Sequence, residues 1–336
     1  MTSHSTTKSH STKQKFVFVA DLGGTHLRVA AVDGDGKIYC RQMQPTPQAD
    51  EPNEIVRALI DGARECEHEV ARLGGRIAAG AIAVPGTVDV DEGVVVRAPN
   101  VPSLNGFHLA APLENEVKWP LVLENDANAA AVGEFWRGAG RGHSSLICVT
   151  LGTGVGGGII LDGKLWRGAD GSAGEIGHIG IEPFAEVPCN CGSHGCLEVY
   201  ASATAIVRMT REAKPRFPNS ILQNTEGLTS KTIYEAGIQG DQLALEVFRQ
   251  MGMYLGVGLG SLITVLNPEI IVIGGGLANG WELFEIHMHQ EIAQRVFSVP
   301  ARSVRIARAQ CGDDAGLLGA AWLAFAGLDE KRATSK

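Results

Sequence analysis

The sequence predicts an α/β protein built of two related domains that face one another across a cleft. Three observations carry this. The chain has 336 residues, about twice the length of a typical single domain. A pattern of strand, glycine turn, strand and hairpin turn occurs twice, about 130 residues apart, starting once at Phe16 and again at Leu146. The 43 glycines gather in a few loops, and clustered glycine marks backbone pressed against a ligand or forced to positive φ.

The elements follow in order. Phe16 to Ala20 reads as a strand, Asp21–Gly24 as a glycine turn, and Leu27 to Val32 as a second strand. Asp33-Gly34-Asp35-Gly36 then marks a hairpin into a third strand around Ile38 to Arg41. Residues 53–73 alternate apolar and charged at helical spacing. Ile77 to Val84 is a buried strand, ended by Pro85-Gly86, and residues 97–112, rich in Pro and Asn, read as a loop. A short strand from Leu121 to Leu123 runs into Glu124-Asn125-Asp126 and an alanine-rich helix to about Arg137. The pattern then repeats: strand Leu146 to Leu151, glycine turn Gly152 to Gly158, strand Ile159 to Leu161, and Asp162-Gly163. Late in the chain come a strand at Ile270 to Ile273, a turn at Gly274–Gly276 and a helix over 279–297. A strand at Val304–Ala307 and a helix from about Asp314 to Ala326 close the sequence. The domains expected are 15–123 and a larger 124–312, with a helix at 313–327 packing back on the first and residues 1–14 as a disordered tail.

Composition narrows the function. Lys+Arg at 29 against Asp+Glu at 37 gives a net charge of −8 with no basic run, so no nucleic-acid surface is expected. The opening MTSHSTTKSHSTKQK has no apolar stretch and is not a secretory signal. Two uncharged stretches, Ser144 to Leu161 and Met251 to Pro268, are long enough to question. The first breaks into strand, turn and strand. The second carries Gly252, Gly256, Gly258 and Gly260 at a spacing that lets helices approach closely, so a buried helix is expected and no membrane partner. The glycine-lined helix over 251–266 could pack against a second copy or equally make an internal helix contact. Of seven cysteines, Cys189, Cys191 and Cys196 fall within eight residues, which in a cytosolic chain points to metal before disulfide.

Four segments could carry chemistry. In Asp21-Leu22-Gly23-Gly24-Thr25, adjacent glycines after a strand free backbone N–H groups for an anion, and Arg28 adds charge. Asp21, at the strand end, suits a hydrated Mg²⁺. A plain hairpin turn is the simpler alternative. Gly152-Thr153-Gly154-Val155-Gly156-Gly157-Gly158 is glycine-dense beyond what a structural turn needs. Ile159-Ile160-Leu161 behind it looks like strand, whereas a dinucleotide fingerprint needs a helix there. Glu124-Asn125-Asp126-Ala127-Asn128 sits where a strand meets a helix, which suits either a cleft carboxylate or an N-cap, or one of each from Asn125 and Asp126. The last is GEIGHIGIEPFAEVPCNCGSHGCLE over 174–198. His178, Cys189, Cys191 and Cys196 make a closed set for tetrahedral, structural Zn²⁺, with His194 as an alternative nitrogen. Glu175 and Glu198 flank these ligands, and a metal-pinned loop would hold both carboxylates toward the hydroxyls of a sugar, the simpler alternative being a solvated loop with two surface acids.

The segments GEIGHIGIEP…CNCGSHGCLE, LENDANAAAVGE and DLGGTHLR, in family order and spacing, resemble the ROK sugar kinases over about Phe16 to Ala326. The resemblance implies two actin-like (RNase H-like) ATPase domains with a cleft between them. It implies a cytoplasmic enzyme, homodimeric by the family's habit, that phosphorylates a hexose from ATP with Mg²⁺ and is most like the bacterial glucokinases. Asp126 would be the general base. Asn125, Glu175, His178 and Glu198, with Gly86 and Asn100, would bind the sugar, and His178 would also ligate zinc. Gly23, Gly24 and Thr25, with Gly152, Thr153 and Gly154, would hold phosphates, and Gly275 and Gly276 would lie against adenosine. His26 stands where lysine is common, which passes the positive charge to Arg28 or elsewhere. Regulators of the family carry a helix-turn-helix, for which the roughly 14 polar residues before the first strand leave no room. Fructose, N-acetylglucosamine and N-acetylmannosamine are rival acceptors, polyphosphate is a rival donor, and a sugar-sensing regulator is the non-enzyme alternative.

Overall fold

In a computed structural model of the chain, which describes residues 14–48, 51–184, 186–297 and 303–334, the duplication expected from sequence is explicit. Strands β1 (Lys15–Leu22), β2 (His26–Asp33) and β3 (Ile38–Pro45) form an antiparallel meander. β4 (Arg76–Val84) and β8 (Leu121–Asn125) add parallel strands beside β1, giving the order β3-β2-β1-β4-β8. The second sheet repeats this, with β9 (Leu146–Leu151), β10 (Val155–Leu161) and β11 (Lys164–Leu165) antiparallel. β12 (Ile270–Gly274) and β13 (Arg305–Arg308) continue it in parallel, giving β11-β10-β9-β12-β13. Asp162 and Gly163, at φ 51° and 73°, make the tight β10–β11 turn, both central residues left-handed as such hairpins require.

Period-two alternation decides which face each strand residue covers. Phe16, Phe18, Ala20 and Leu22 of β1 pack with Ile55, Leu59 and Ala63 of helix α1 (Asn53–Arg72). Val17 and Val19 turn the other way, onto Leu317, Ala320, Ala321 and Ala324 of the C-terminal helix, Ala315–Thr334. In the second sheet Ile147, Val149 and Leu151 join the largest core, whose helices are α4 (Glu198–Ala201), α5 (Ala203–Ala213), α6 (Ser230–Ile238), α7 (Gln242–Leu266) and α8 (Trp281–Arg295). Leu146 and Cys148 face helix α3 (Asp126–Arg137) through Ala131 and Val132. With α2 at Ala110–Val117, the C-terminal helix is α9.

Helices α3 and α9 thus lie between the sheets, and they meet backbone to backbone. A Cβ on Gly319 would stand 1.7 Å from the Ala129 carbonyl oxygen, and one on Gly133 would stand 2.1 Å from that of Ala315.

Two expectations need correction, and one open alternative is decided. Residues 97–112 are not one loop: Val94–Arg97 (β6) pairs with Thr87–Asp89 (β5) on one side and Phe107–His108 (β7) on the other in a small sheet, and α2 begins at Ala110. Strands of two to four residues are too short to show a period. Gly156, Gly157 and Gly158 belong to β10 and not to a turn. A Cβ on Gly156 would meet that of Ala127 at 2.9 Å, and one on Gly158 that of Ala131 at 2.5 Å, so these glycines let α3 lie close on the strand. The glycine stripe of α7 is an internal contact, with Gly252 and Gly256 against the Phe284 and Met288 carbonyls of α8, and offers no face to a second copy. Among the described residues no helix is long and apolar enough to cross a membrane. Of the expected tail, residues 1–13 lie outside the described residues.

Candidate active site

The C-terminal ends of the parallel strands of both sheets open onto one cavity of about 380 Å³, the place where α/β sheets put their ligands. Gly86 follows β4, Asn125 ends β8 and Asp126 follows it, Gly152 to Gly154 follow β9, and Gly275 follows β12; all line the wall.

At the β8–α3 junction the two candidate roles are divided. Asn125, extended at φ −64° and ψ 144°, caps the helix: its Oδ1 accepts from the N–H of Asn128 at 3.0 Å. Its Nδ2 donates to the Gly86 carbonyl at 2.8 Å. Asp126 is therefore free of the capping role, and its Oδ1 accepts from the N–H of Ala127 at 2.8 Å. Burial pushes the Asp126 carboxyl up from 3.8 to about 7, with further pressure from the charge of Asp21 and then of Glu175, while neighbouring backbone N–H groups pull it down. An acid poised near neutrality in a cleft is suited to taking a proton.

Asp21 is buried at the end of β1, where burial lifts its carboxyl against the pull of Arg28. Arg28, its cross-strand partner, donates to Asp21 Oδ2 at 2.7 Å and to the Asp313 carbonyl at 2.7 Å. The guanidinium is thus directed to the protein and not to open space. Gly24 lies against Asn100, which lines the cavity. Asp21, Gly23, Gly24, Thr25, Arg28 and Gly276 themselves do not line it, so the first glycine loop borders this cavity and the second forms its wall.

Glu175, His178 and Glu198 all line the cavity. Glu198 Oε2 accepts the N–H of Val155 at 3.0 Å, and a Cβ on Gly154 would stand 2.2 Å from that oxygen. The residue thus braces the second glycine loop. His178 places Nε2 3.8 Å from Glu175 Oε2 and Nδ1 3.5 Å from Cys189 Sγ. Cys191 and Cys196 sulfurs lie 3.7 Å apart, and the ligand atoms of His178, Cys189, Cys191 and Cys196 all fall within 4.8 Å of one another. Zinc–sulfur and zinc–nitrogen bonds of about 2.3 and 2.0 Å in a tetrahedron give edges of about 3.8 Å between sulfurs and 3.5 Å from sulfur to nitrogen. The donor set and its spacing fit such a metal, and among the described residues His194 is not part of the cluster.

Sequence reasoning passed over Thr87, Asn128, Thr150, Ala173 and Gly174, which also line the cavity. Asn128 is 2% exposed, and its Oδ1 has no partner among the described residues. A buried amide in the first turn of an otherwise alanine-rich helix is the signal that could have found it.

The profile of the ROK family matches residues 18–326. A glucokinase of Halalkalibacterium halodurans is 36% identical over 314 residues, covering 90% of this chain and 93% of that protein. An N-acetyl-D-glucosamine kinase of Yersinia pseudotuberculosis is 32% identical, covering 91% and 98%. The structure of a ROK family glucokinase from Streptomyces griseus in complex with glucose and AMPPNP superposes with a TM-score of 0.77 at 36% identity, covering 92% of this chain and 99% of that one.

Proposed function

The chain belongs to the ROK family, and from that premise we propose that it transfers the γ-phosphoryl group of ATP to a hexose, glucose first, with Asp126 as general base. The observation that carries this is Asp126 itself: uncapped, poised near pH 7, and in one cavity with the amides and carboxylates of a sugar site and a glycine loop from the other sheet. The glucokinase relatives support glucose as the acceptor.

Phosphoryl transfer passes through a loose transition state, so positioning and charge neutralisation supply most of the acceleration. Asn125, Glu175, His178 and Glu198, with Gly86 and Asn100, hold the sugar by its hydroxyls. Asp126 accepts the proton of the attacking hydroxyl as its oxygen bonds to phosphorus and the bridging oxygen leaves with ADP. Gly152, Thr153 and Gly154, with Gly23, Gly24 and Thr25 at the border, face the phosphates, and Gly275 and Gly276 the adenosine. Asp21, at the end of β1, would hold the Mg²⁺ that accompanies ATP and neutralises its phosphate oxygens. His178, Cys189, Cys191 and Cys196 would hold Zn²⁺, which would supply rigidity to the loop. The same reading divides the chain into residues 15–123 and 124–312, with 313–327 returning to the first part.

ADP release, followed with ATP and a panel of glucose, mannose, fructose, N-acetylglucosamine and N-acetylmannosamine, tests the proposal. Glucose should give the highest kcat/KM. An acetamido sugar ahead of glucose would change the acceptor, and no release with any hexose would remove the activity.

A further inference from the structure

We propose that Arg167 and Glu124 form a positioning latch that sets the affinity for the hexose by holding the loop 167–175 across the cavity; this rests on the kinase reading above. Glu124 is the residue before Asn125 in β8, and it is 1% exposed. Its Oε2 accepts from Arg167 twice, from Nε at 2.8 Å and Nη2 at 2.7 Å. Its Oε1 accepts from the N–H of Asn125 and from Nδ2 of Asn128, both at 3.0 Å. One carboxylate of the first sheet therefore ties the start of α3, where Asp126 stands, to a loop that leaves the second sheet.

That loop begins two residues after β11 and ends at Glu175. The Arg167 carbonyl accepts from the N–H of Ala173 at 3.0 Å, closing the loop on itself. Gly171, Ala173, Gly174 and Glu175 line the cavity, and Gly171 stands so near β5 that a Cβ there would lie 3.3 Å from the Val88 carbonyl oxygen. Gly168, Gly171 and Gly174 all have positive φ, so the loop has little local preference of its own to keep it in place. At its Arg167 end the loop is fixed by the ion pair with Glu124. A buried carboxylate with every lone pair matched by a donor is the form in which such a pair holds geometry. Removing it frees the loop that presents Glu175 and leads into His178, whereas the nucleotide loops at Gly152 to Gly154 and Gly275 are carried by β9 and β12.

The test uses full-length wild type, Arg167→Met, Arg167→Lys, Glu124→Gln and the charge-neutral double Glu124→Gln/Arg167→Met, each checked for its melting transition. ADP release is measured while glucose and ATP are varied separately. Arg167→Met should raise the glucose KM about tenfold or more, on the scale that small misplacements cost, with the ATP KM within about twofold. Arg167→Lys should recover part of the loss, and the double should resemble the worse single variant, because both remove one interaction. A folded double whose glucose KM stays within about twofold of wild type overturns the latch, as does an equal rise in both KM values. Wild-type protein that turns over no hexose removes the kinase reading, and the latch falls with it.

Discussion

Asp126 and Asn125 show how two adjacent residues at one helix start share two tasks. The sequence allowed each to be cap or base; the Asn125 Oδ1 contact to the Asn128 N–H gives the cap to the amide and leaves the acid in the cavity. With its carboxyl at about 7, Asp126 is mostly protonated at pH 6 and mostly ionised at pH 8, so kcat/KM should rise with pH and level off above about 7. A flat profile from pH 5.5 to 8.5 would contradict this. Stability moves the other way. A carboxyl whose folded value lies above its ordinary 3.8 costs stability as pH climbs through that interval, with the full cost present above about 7. Asp126→Asn should therefore raise Tm relative to wild type more at pH 8 than at pH 4, in protein without ligand. Arg28 teaches the opposite lesson. The sequence offers its charge to a phosphate; strand register also sets it opposite Asp21, to which it donates, and such pairing is invisible until the strands are aligned.

Among the elements, the metal loop and the second glycine string were legible to different depths. The candidate ligands Cys189, Cys191 and Cys196 could be grouped from residue type and spacing, and the structure adds His178 and not His194 to them. Cys191, the exposed ligand, can be changed with little packing loss. Cys191→Ser should abolish stoichiometric zinc in purified protein, expose residues 186–197 to protease, and lower stability by several kcal/mol, a fraction of what structural zinc can supply. Unchanged Tm in protein free of zinc would remove the structural role. The glycine string was read as a phosphate turn throughout, but only Gly152 to Gly154 turn, while Gly156 and Gly158 make room for Ala127 and Ala131. Sequence cannot separate a glycine facing a ligand from one facing a helix. The small sheet β5–β7 was unreadable for another reason: its strands take their order from pairing and not from any pattern of their own.

For the molecule as a whole, the repeat was the most legible feature, because hairpin turns and strand alternation are local signals. What sequence could not supply was how the halves join, since α3 and α9 come from distant parts of the chain and meet through Gly133 and Gly319. A methyl at Gly319 has no space to enter, so Gly319→Ala should cost about 3 kcal/mol or more in urea unfolding. A variant with wild-type stability would show that the helix pair can slide apart freely. Residues that follow strands of both sheets line the cavity, and closure on ligand would exclude water as a competing acceptor. Glucose with a non-hydrolysable ATP analogue should accordingly reduce the radius of gyration in solution scattering.

The most direct measurement pairs the turnover of Asp126→Asn with its glucose affinity by calorimetry. Removing a general base from an otherwise intact pocket should lower kcat by about 10² to 10⁴, with the dissociation constant for glucose within a few-fold of wild type. Undiminished kcat in a variant that still binds glucose would mean that the proton leaves by another route, and that Asp126 is not the base.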